Sequence, residues 1–257
     1  MAPAMHPSPR MTRQIARVFA GVTVRSIMVA ALLAVGLVGA GVAAAAPVSS
    51  AAPEDRILPT EQYTSEKARS LAQRYAPHLR ALNAKIYHCM PWVEVQKGSI
   101  GFFKPKHATQ DDRYLSLRIY IDQDPSPAFA QLAMEERASA MFSRYVGPML
   151  RRMAQPPLLT DASVDGYTVI IEWLKQAPNA AKDRPVHETI AVFVDRSTAE
   201  QYVTGAAPVT ELAAQAKVLG WDGEAALGAL RLAAWDDDFV FVHKVKNYQL
   251  APGVTCP

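Results

Sequence analysis

The chain has 257 residues, of which 50% are hydrophobic, 20% charged and 8% aromatic, with 19 Pro, 13 Gly and two Cys. This composition is typical of an ordinary globular domain, and it excludes a collagen-like, a disulfide-dense or a largely disordered protein. The sequence also lacks a Gly-x-Ser-x-Gly elbow and a Gly-rich nucleotide-binding loop, which are the usual patterns of serine hydrolases and of nucleotide-binding proteins.

The N-terminal 45 residues have the pattern of a secretory signal peptide. They contain four Arg and no Asp or Glu, and residues 27–42 are almost wholly apolar. A basic segment, an apolar segment and a small-residue cleavage site, in this order, are typical of export signals. Ala43 and Ala45 form the small A-x-A pair, which predicts cleavage after Ala45 and a mature chain that starts at Ala46.

Two alternatives to this processing stay open. Residues 26–45 provide an apolar stretch of about 20 residues, close to the minimum for a membrane span, so an uncleaved anchor is the competing interpretation. Translation from Met11 would also supply a complete signal. In each case the sequence predicts an exported protein, periplasmic or secreted, that meets the membrane only through this segment if the segment is retained.

Removal of the signal peptide changes the charge of the protein. The full chain has 27 basic and 24 acidic residues, whereas the chain without residues 1–45 has 23 basic and 24 acidic residues, a formal charge of −1. Proteins that bind nucleic acid carry a basic surface, so we expect no nucleic-acid partner for this near-neutral exported chain. The expected partner is a small molecule or another envelope protein.

Both cysteines, Cys89 and Cys256, lie in the mature chain. In an oxidising compartment two Cys most simply form one disulfide, which here would tie the C-terminal tail to the first helical region. The competing interpretation is a reactive thiol at Cys89, next to His88. A free thiol outside the cytoplasm is prone to oxidation, which favours the disulfide.

Residues 46–62 are rich in Pro, Ser and Ala, which predicts a flexible lead-in to a single globular domain at 63–257. After Thr64, apolar residues recur every three or four positions, which predicts a helix that Pro77 kinks or splits. Two short apolar runs around Lys97 predict a hairpin.

Residues 114–122 (YLSLRIYID) alternate between apolar and mostly polar side chains, which predicts a strand with one polar face. Pro127 opens a long helix that Pro148 is expected to bend or interrupt. The remaining apolar patterns predict strands at 167–174, 188–195 and 239–245, and helices at 195–204 and 209–219.

These elements together predict an α+β fold with a mainly antiparallel sheet of about five strands and helices covering one face. The strands at 167–174 and 188–195 are joined by a short connection, so we expect them to be antiparallel neighbours. Residues 167–174 have apolar side chains on both faces, which predicts a central strand covered on both sides. Residues 210–230 are expected to form a packed helical hairpin, whose single basic residue argues against DNA binding.

One group of residues carries candidate acid, base or ligand side chains. Glu172 lies on one predicted strand, and His187 and Glu188 lie at the start of its neighbour. Asp236 lies just before the last predicted strand and His243 lies on it. They would act together only if the sheet brings them to one place. Their spacing does not match a helical zinc motif or an EF-hand, so no metal or other cofactor is predicted, and the competing interpretations are a solvated turn at Asp236 and a buried structural His243.

A second group is basic and precedes the strand at 114–122. It consists of Lys104, Lys106, His107 and Arg113, which predicts a contact for an anion or a partner, against the alternative of a solvated loop.

The leading hypothesis is an exported, soluble, non-catalytic module that binds a ligand or partner or has an envelope-associated structural role. The alternative is a hydrolase or metal-assisted enzyme that uses the acid, base or ligand group. If these side chains converge in an accessible pocket, the enzyme hypothesis is favoured. If they are dispersed over the structure, the enzyme hypothesis is excluded.

Intact mass spectrometry after expression in an export-competent host tests the signal peptide and the disulfide together. We expect a chain that starts at Ala46 and gains the mass of two hydrogens when a reductant is added. A chain that retains residues 1–45, or a mass that the reductant leaves unchanged, would contradict these expectations. Bound mass that disappears on substitution of His187 or Asp236 would favour the enzyme hypothesis.

Overall fold

A mixed sheet organises the domain. The structure, a computed structural model, describes residues 51–121, 127–176, 185–234 and 256. Within these residues the sheet has seven strands: β1 (Val93–Val95), β2 (Gly101–Phe103), β3 (Tyr114–Ile121), β4 (Gly166–Gln176), β5 (Val186–Asp195), β6 (Lys217–Trp221) and β7 (Ala226–Ala229). Their spatial order is β1-β3-β4-β5-β6-β7, and β2 also pairs with β3.

The α+β class is confirmed, but the sheet differs from the predicted one of about five strands. β3 and β4 are parallel, and the other pairs are antiparallel. A parallel pair needs a crossover connection, which the helices between these two strands supply. β4 and β5 are antiparallel neighbours, as the short connection predicts.

The predicted hairpin around Lys97 is wrong, because its two arms do not pair with each other. Val93 to Val95 pair with the end of β3, and Gly101 to Phe103 pair with its beginning. One long strand thus supplies hydrogen bonds to two short ones.

The helices are α1 (Glu66–Arg74), α2 (Ala76–Cys89), α3 (Pro127–Ala130), α4 (Met134–Met141), α5 (Gly147–Met153), α6 (Arg196–Val203) and α7 (Val209–Gln215). Pro77 splits the first helical region as predicted, because α1 ends at Arg74 and α2 places this proline in its first turn, where a missing N–H leaves no hydrogen bond unmade. The N-cap of α1 is Ser65, whose Oγ accepts from the Ala68 N–H at 3.4 Å.

Pro148 does not interrupt its helix. A π-helical segment, Phe142–Val146, connects α4 directly to α5. Proline cannot donate to the preceding turn, and its ring would collide with the carbonyl four residues earlier in a regular α-helix. The wider π turn accommodates both effects, so the chain continues as one helix.

Alternation along the strands gives the sheet two different faces. One face packs against the helices and is almost completely buried. On β3 and β4 its residues are Leu115, Leu117, Ile119, Ile121, Tyr167, Val169, Ile171 and Trp173. The opposite face, here called the open face, has partly exposed side chains at Arg118, Ile170, Glu172, Ala191 and Phe193. β4 is a central strand, as predicted, because it lies between β3 and β5. Its cover on the open face is incomplete, since Thr168 is buried but Ile170 and Glu172 are partly exposed.

Two further segments differ from their predictions. Residues 54–62, the end of the predicted lead-in, form two 3-10 turns, and Leu58 N–H donates to the Ile100 carbonyl at 2.9 Å. The predicted helix at 209–219 ends at Gln215, and the segment after it forms the β6–β7 ribbon instead of a second helix. The edge of β5 supplies hydrogen-bond partners to β6, which local periodicity cannot reveal. The predicted strand at 239–245 lies outside the described residues.

Cys89, the last residue of α2, forms a disulfide with Cys256, in agreement with the sequence. The two Cα atoms lie 5.6 Å apart and the residues are 167 positions apart in the chain. The bond therefore closes a loop that contains most of the domain.

Replacement of both cysteines by alanine (C89A/C256A) is expected to lower the free energy of unfolding by about 5 kcal/mol in the chain-entropy model for a loop of this length. Urea denaturation measures the difference, and the reduced wild-type protein serves as the matched control. A variant as stable as the oxidised wild type would show that the bond does not restrict the unfolded chain.

Candidate functional site

Glu188 points into the helical core. Its side chain has no exposed surface and accepts from Arg137 of α4, with Arg137 Nη2 at 2.5 Å from Oε1 and Arg137 Nε at 2.7 Å from Oε2. Trp173 Nε1 donates to Oε2 at 3.0 Å. Arg137 also donates to the carbonyls of Ala130 and Leu132. This bidentate pair is the kind of arrangement that compensates for burying two charges.

Glu172 and His187 lie together on the open face. Arg118 Nη2 donates to Glu172 Oε2 at 2.7 Å, and Gln96 Nε2 donates to the same oxygen at 3.0 Å. His187 Nδ1 lies 3.7 Å from Glu172 Oε1. The His187 ring meets the Tyr120 ring edge-on, with 5.4 Å between centroids. Arg118 of β3, Glu172 of β4 and His187 of β5 therefore form one polar cluster, to which Gln96 also contributes.

Of the five predicted acid, base or ligand residues, the structure brings together Glu172 and His187. Glu188 follows His187 directly in β5 and so faces the opposite side of the sheet. Glu188 therefore does not meet Glu172 and His187, as the enzyme hypothesis would require. Asp236 and His243 lie outside the described residues.

The basic loop before β3 reaches the same open face. Lys104 and Lys106 are exposed, and Lys104 Nζ donates to the Thr109 carbonyl at 3.3 Å. The His107 ring meets the Phe193 ring edge-on at 4.9 Å. Burial, followed by the charge of Lys217, lowers the pKa of His107 against the opposing influence of Asp195 and Asp112.

Arg113 has a different position from the rest of the basic group. Its guanidinium pairs with Asp111, and its backbone N–H donates to Asp165 Oδ2 at 2.6 Å. Lys67 Nζ approaches the same Asp165 oxygen at 2.7 Å. Arg113 thus anchors the start of β3, and it does not line the surface that Lys104 and Lys106 reach.

A groove runs along the open face. It consists of two adjoining cavities of about 710 Å³ and 520 Å³, which share Lys106, Arg118 and Ile170 as lining residues. The larger one is also lined by Glu172, His187, Thr189 and Trp221. The smaller one is also lined by Phe103, Lys104, Thr168, Ala191, Phe193 and Leu219. We call the two together the open-face groove.

The groove combines an apolar floor with charged walls. Ile170, Phe193 and Leu219 lie partly exposed on β4, β5 and β6, and Trp221 at the end of β6 is 44% exposed. Sequence analysis missed these floor residues and Arg118. Two signals in the sequence indicated this surface: the alternation at 114–122, which placed Arg118 on the less apolar face of its strand, and the basic residues Lys104 and Lys106.

Within the described part of the chain, no three His, Cys, Asp or Glu side chains gather where they could hold a metal ion. In the same residues, no helix has the length and apolar character required to cross a bilayer.

No known family model, curated protein or solved structure matches this chain. The geometry of the open-face groove is therefore the basis for assigning a function.

Substitution of Glu188 and Glu172, one at a time, tests whether the first belongs to the core and the second to the groove. E188A is expected to lower the free energy of unfolding by about 3–5 kcal/mol, because it leaves the Arg137 charge buried without its partner. E172A is expected to cost about 1 kcal/mol or less, because the Arg118 side chain is 43% exposed and water can solvate it. Urea denaturation of both variants measures the difference, and equal losses would contradict the assignment of the two residues to different faces.

Proposed function

We propose that the mature protein is an exported, non-catalytic module that binds a ligand in the open-face groove. The observation that carries this proposal is the floor of the groove, where Ile170, Phe193 and Leu219 remain partly exposed although the other face of the sheet is buried. Removal of apolar surface from water contributes about 25 cal/mol per Å². A concave apolar surface with a few polar groups at its border is the usual form of a ligand site.

The polar cluster supports orientation of a ligand. Arg118 and Gln96 hold one oxygen of Glu172, and the other oxygen faces His187. These groups are fixed by neighbouring strands, which position side chains more rigidly than loops do. A ligand on the apolar floor would meet donors and acceptors whose arrangement is already set.

A hydrolase or metal-assisted enzyme is the alternative function, and the geometry favours binding over it. His187 Nδ1 and Glu172 Oε1 are 3.7 Å apart, so no hydrogen bond joins the two side chains. Glu172 is instead held as an acceptor for Arg118 and Gln96. The buried Glu188 is committed to Arg137 and cannot serve as a second carboxylate in the groove.

The signal-like N-terminus and the Cys89–Cys256 disulfide support export. The expected destination, periplasmic or secreted, is one in which such a bond persists. A binding module there would meet small molecules or envelope proteins, and its near-neutral mature charge gives no reason to expect nucleic acid.

Filling the groove from its floor tests this proposal. Ala191 lies between Ile170 and Leu219 in the strand register and lines the groove, so phenylalanine in its place (A191F) would occupy the volume of a ligand. The neutral fluorescent probe N-phenyl-1-naphthylamine is expected to bind the wild type and to bind A191F roughly tenfold or more weakly, a difference of about 1.4 kcal/mol or more.

The matched control is A162F, which introduces the same side chain at an exposed turn residue that does not line the groove. It is expected to bind the probe as the wild type does. Absence of binding to the wild type, or equal binding to A191F and the wild type, would overturn the proposed function.

A further inference from the structure

The charges that line the open-face groove are unequal. Among the described residues that line it, there are four cationic side chains, Lys97, Lys104, Lys106 and Arg118, and one carboxylate, Glu172. Charge of one sign along a cleft with apolar walls raises the local concentration of ligands of the opposite sign.

Two of these four cations already have a carboxylate partner. Arg118 Nη2 lies 2.7 Å from Glu172 Oε2, and Lys97 Nζ lies 3.1 Å from Asp55 Oδ2. No carboxylate of the described residues lies within ion-pair distance of Lys104 or Lys106. In the described part of the chain, the unpaired charge of the groove is thus carried by two lysines that are separated only by Pro105.

The two lysines border the apolar floor directly. Both line the smaller cavity together with Phe193 and Leu219, and Lys106 also lines the larger cavity. Lys217 pairs in register with Phe193 at the same border, and its charge lowers the pKa of His107 there. A ligand whose apolar part rests on the floor would therefore place a group at its edge within reach of cationic side chains.

From this juxtaposition we infer that the ligand is a small amphipathic anion, with an aromatic or aliphatic body on the floor of the groove and one anionic group held by Lys104 and Lys106. This inference rests on the proposed function and specifies the ligand class of that site. Lysine ammonium groups are compact point charges that do not select one oxyanion geometry. Carboxylates, sulfonates and phosphate monoesters could therefore each supply the anionic group.

Two fluorescent probes with the same aromatic rings, one charged and one neutral, separate the contribution of the charge to the affinity from that of the apolar surface. 8-Anilinonaphthalene-1-sulfonate carries one sulfonate, and N-phenyl-1-naphthylamine is its uncharged counterpart. The wild type is expected to bind the sulfonate at least about tenfold more tightly than the neutral probe. In about 1 M NaCl, where the screening length falls to about 3 Å, this preference is expected to shrink while neutral-probe binding persists.

The variant K104Q/K106Q removes the two charges and keeps the polar side chains. It is expected to lose roughly tenfold in affinity for the sulfonate and to bind the neutral probe within about twofold of the wild type. The control R80Q/K85Q removes two exposed charges from α2 and is expected to bind both probes as the wild type does. Urea denaturation of each variant verifies that folding is unchanged.

The outcomes distinguish this inference from the proposed function. Equal binding of the two probes by the wild type, unchanged sulfonate binding by K104Q/K106Q, or an equal loss in R80Q/K85Q would overturn the anion assignment and leave an apolar site. If the wild type binds neither probe, both the proposed function and the anion assignment are overturned. Sulfonate binding that survives in A191F would place the anion outside the groove and would also overturn the inference.

Discussion

Successive residues of a β-strand point to opposite faces of the sheet, and one layer of helices covers one of these faces here. This constraint gives His187 and Glu188 different surroundings, although they are adjacent in β5. Glu188 is sealed among helices and requires Arg137 as its partner, whereas His187 lies beside Glu172 on the open face. The separation of the buried core from the open-face groove follows from that alternation.

On the covered side, the charged pair and the disulfide add to the apolar core in different ways. The Arg137–Glu188 pair joins α4 to β5 and also accepts the Trp173 N–H, so its removal would leave several buried polar groups without partners. The Cys89–Cys256 bond acts mainly on the unfolded chain by closing a loop of 167 positions. The first restricts how helix and sheet are packed, and the second restricts the chain as a whole.

On the open side, the same strands carry side chains that the domain does not bury. The exposed apolar floor of the groove does not stabilise the fold, because only a further layer of helices or strands, or a bound molecule, would bury it. The combination of this floor with the lysines at its border is the basis of the proposal that the open-face groove binds a molecule with both an apolar surface and a negative charge. The open side of the sheet and the basic loop before β3 thus belong to one surface.

Local patterns in the sequence determined a large part of the elements. The alternation in β3, the division of the first helix at Pro77, the antiparallel pairing of β4 with β5 and the pairing of the two cysteines all follow from short-range rules or from simple counting. The closely spaced cations Lys104 and Lys106 before the strand at 114–122 were also visible in the sequence. These features depend on backbone geometry, on proline's missing donor and on cysteine chemistry, which act within a few residues or need no knowledge of the fold.

The tertiary structure decided most of the other contacts between elements. The pairing of β1 and β2 with β3, the parallel contact of β3 with β4, and the strand at Lys217–Trp221 depend on hydrogen-bond partners supplied by distant parts of the chain. The same is true of the fate of Glu188 and of the gathering of Arg118, Glu172 and His187. A strand's free N–H and C=O groups can pair with many sequences, so only the combined burial of the whole sheet selects the order of strands and, with it, the site.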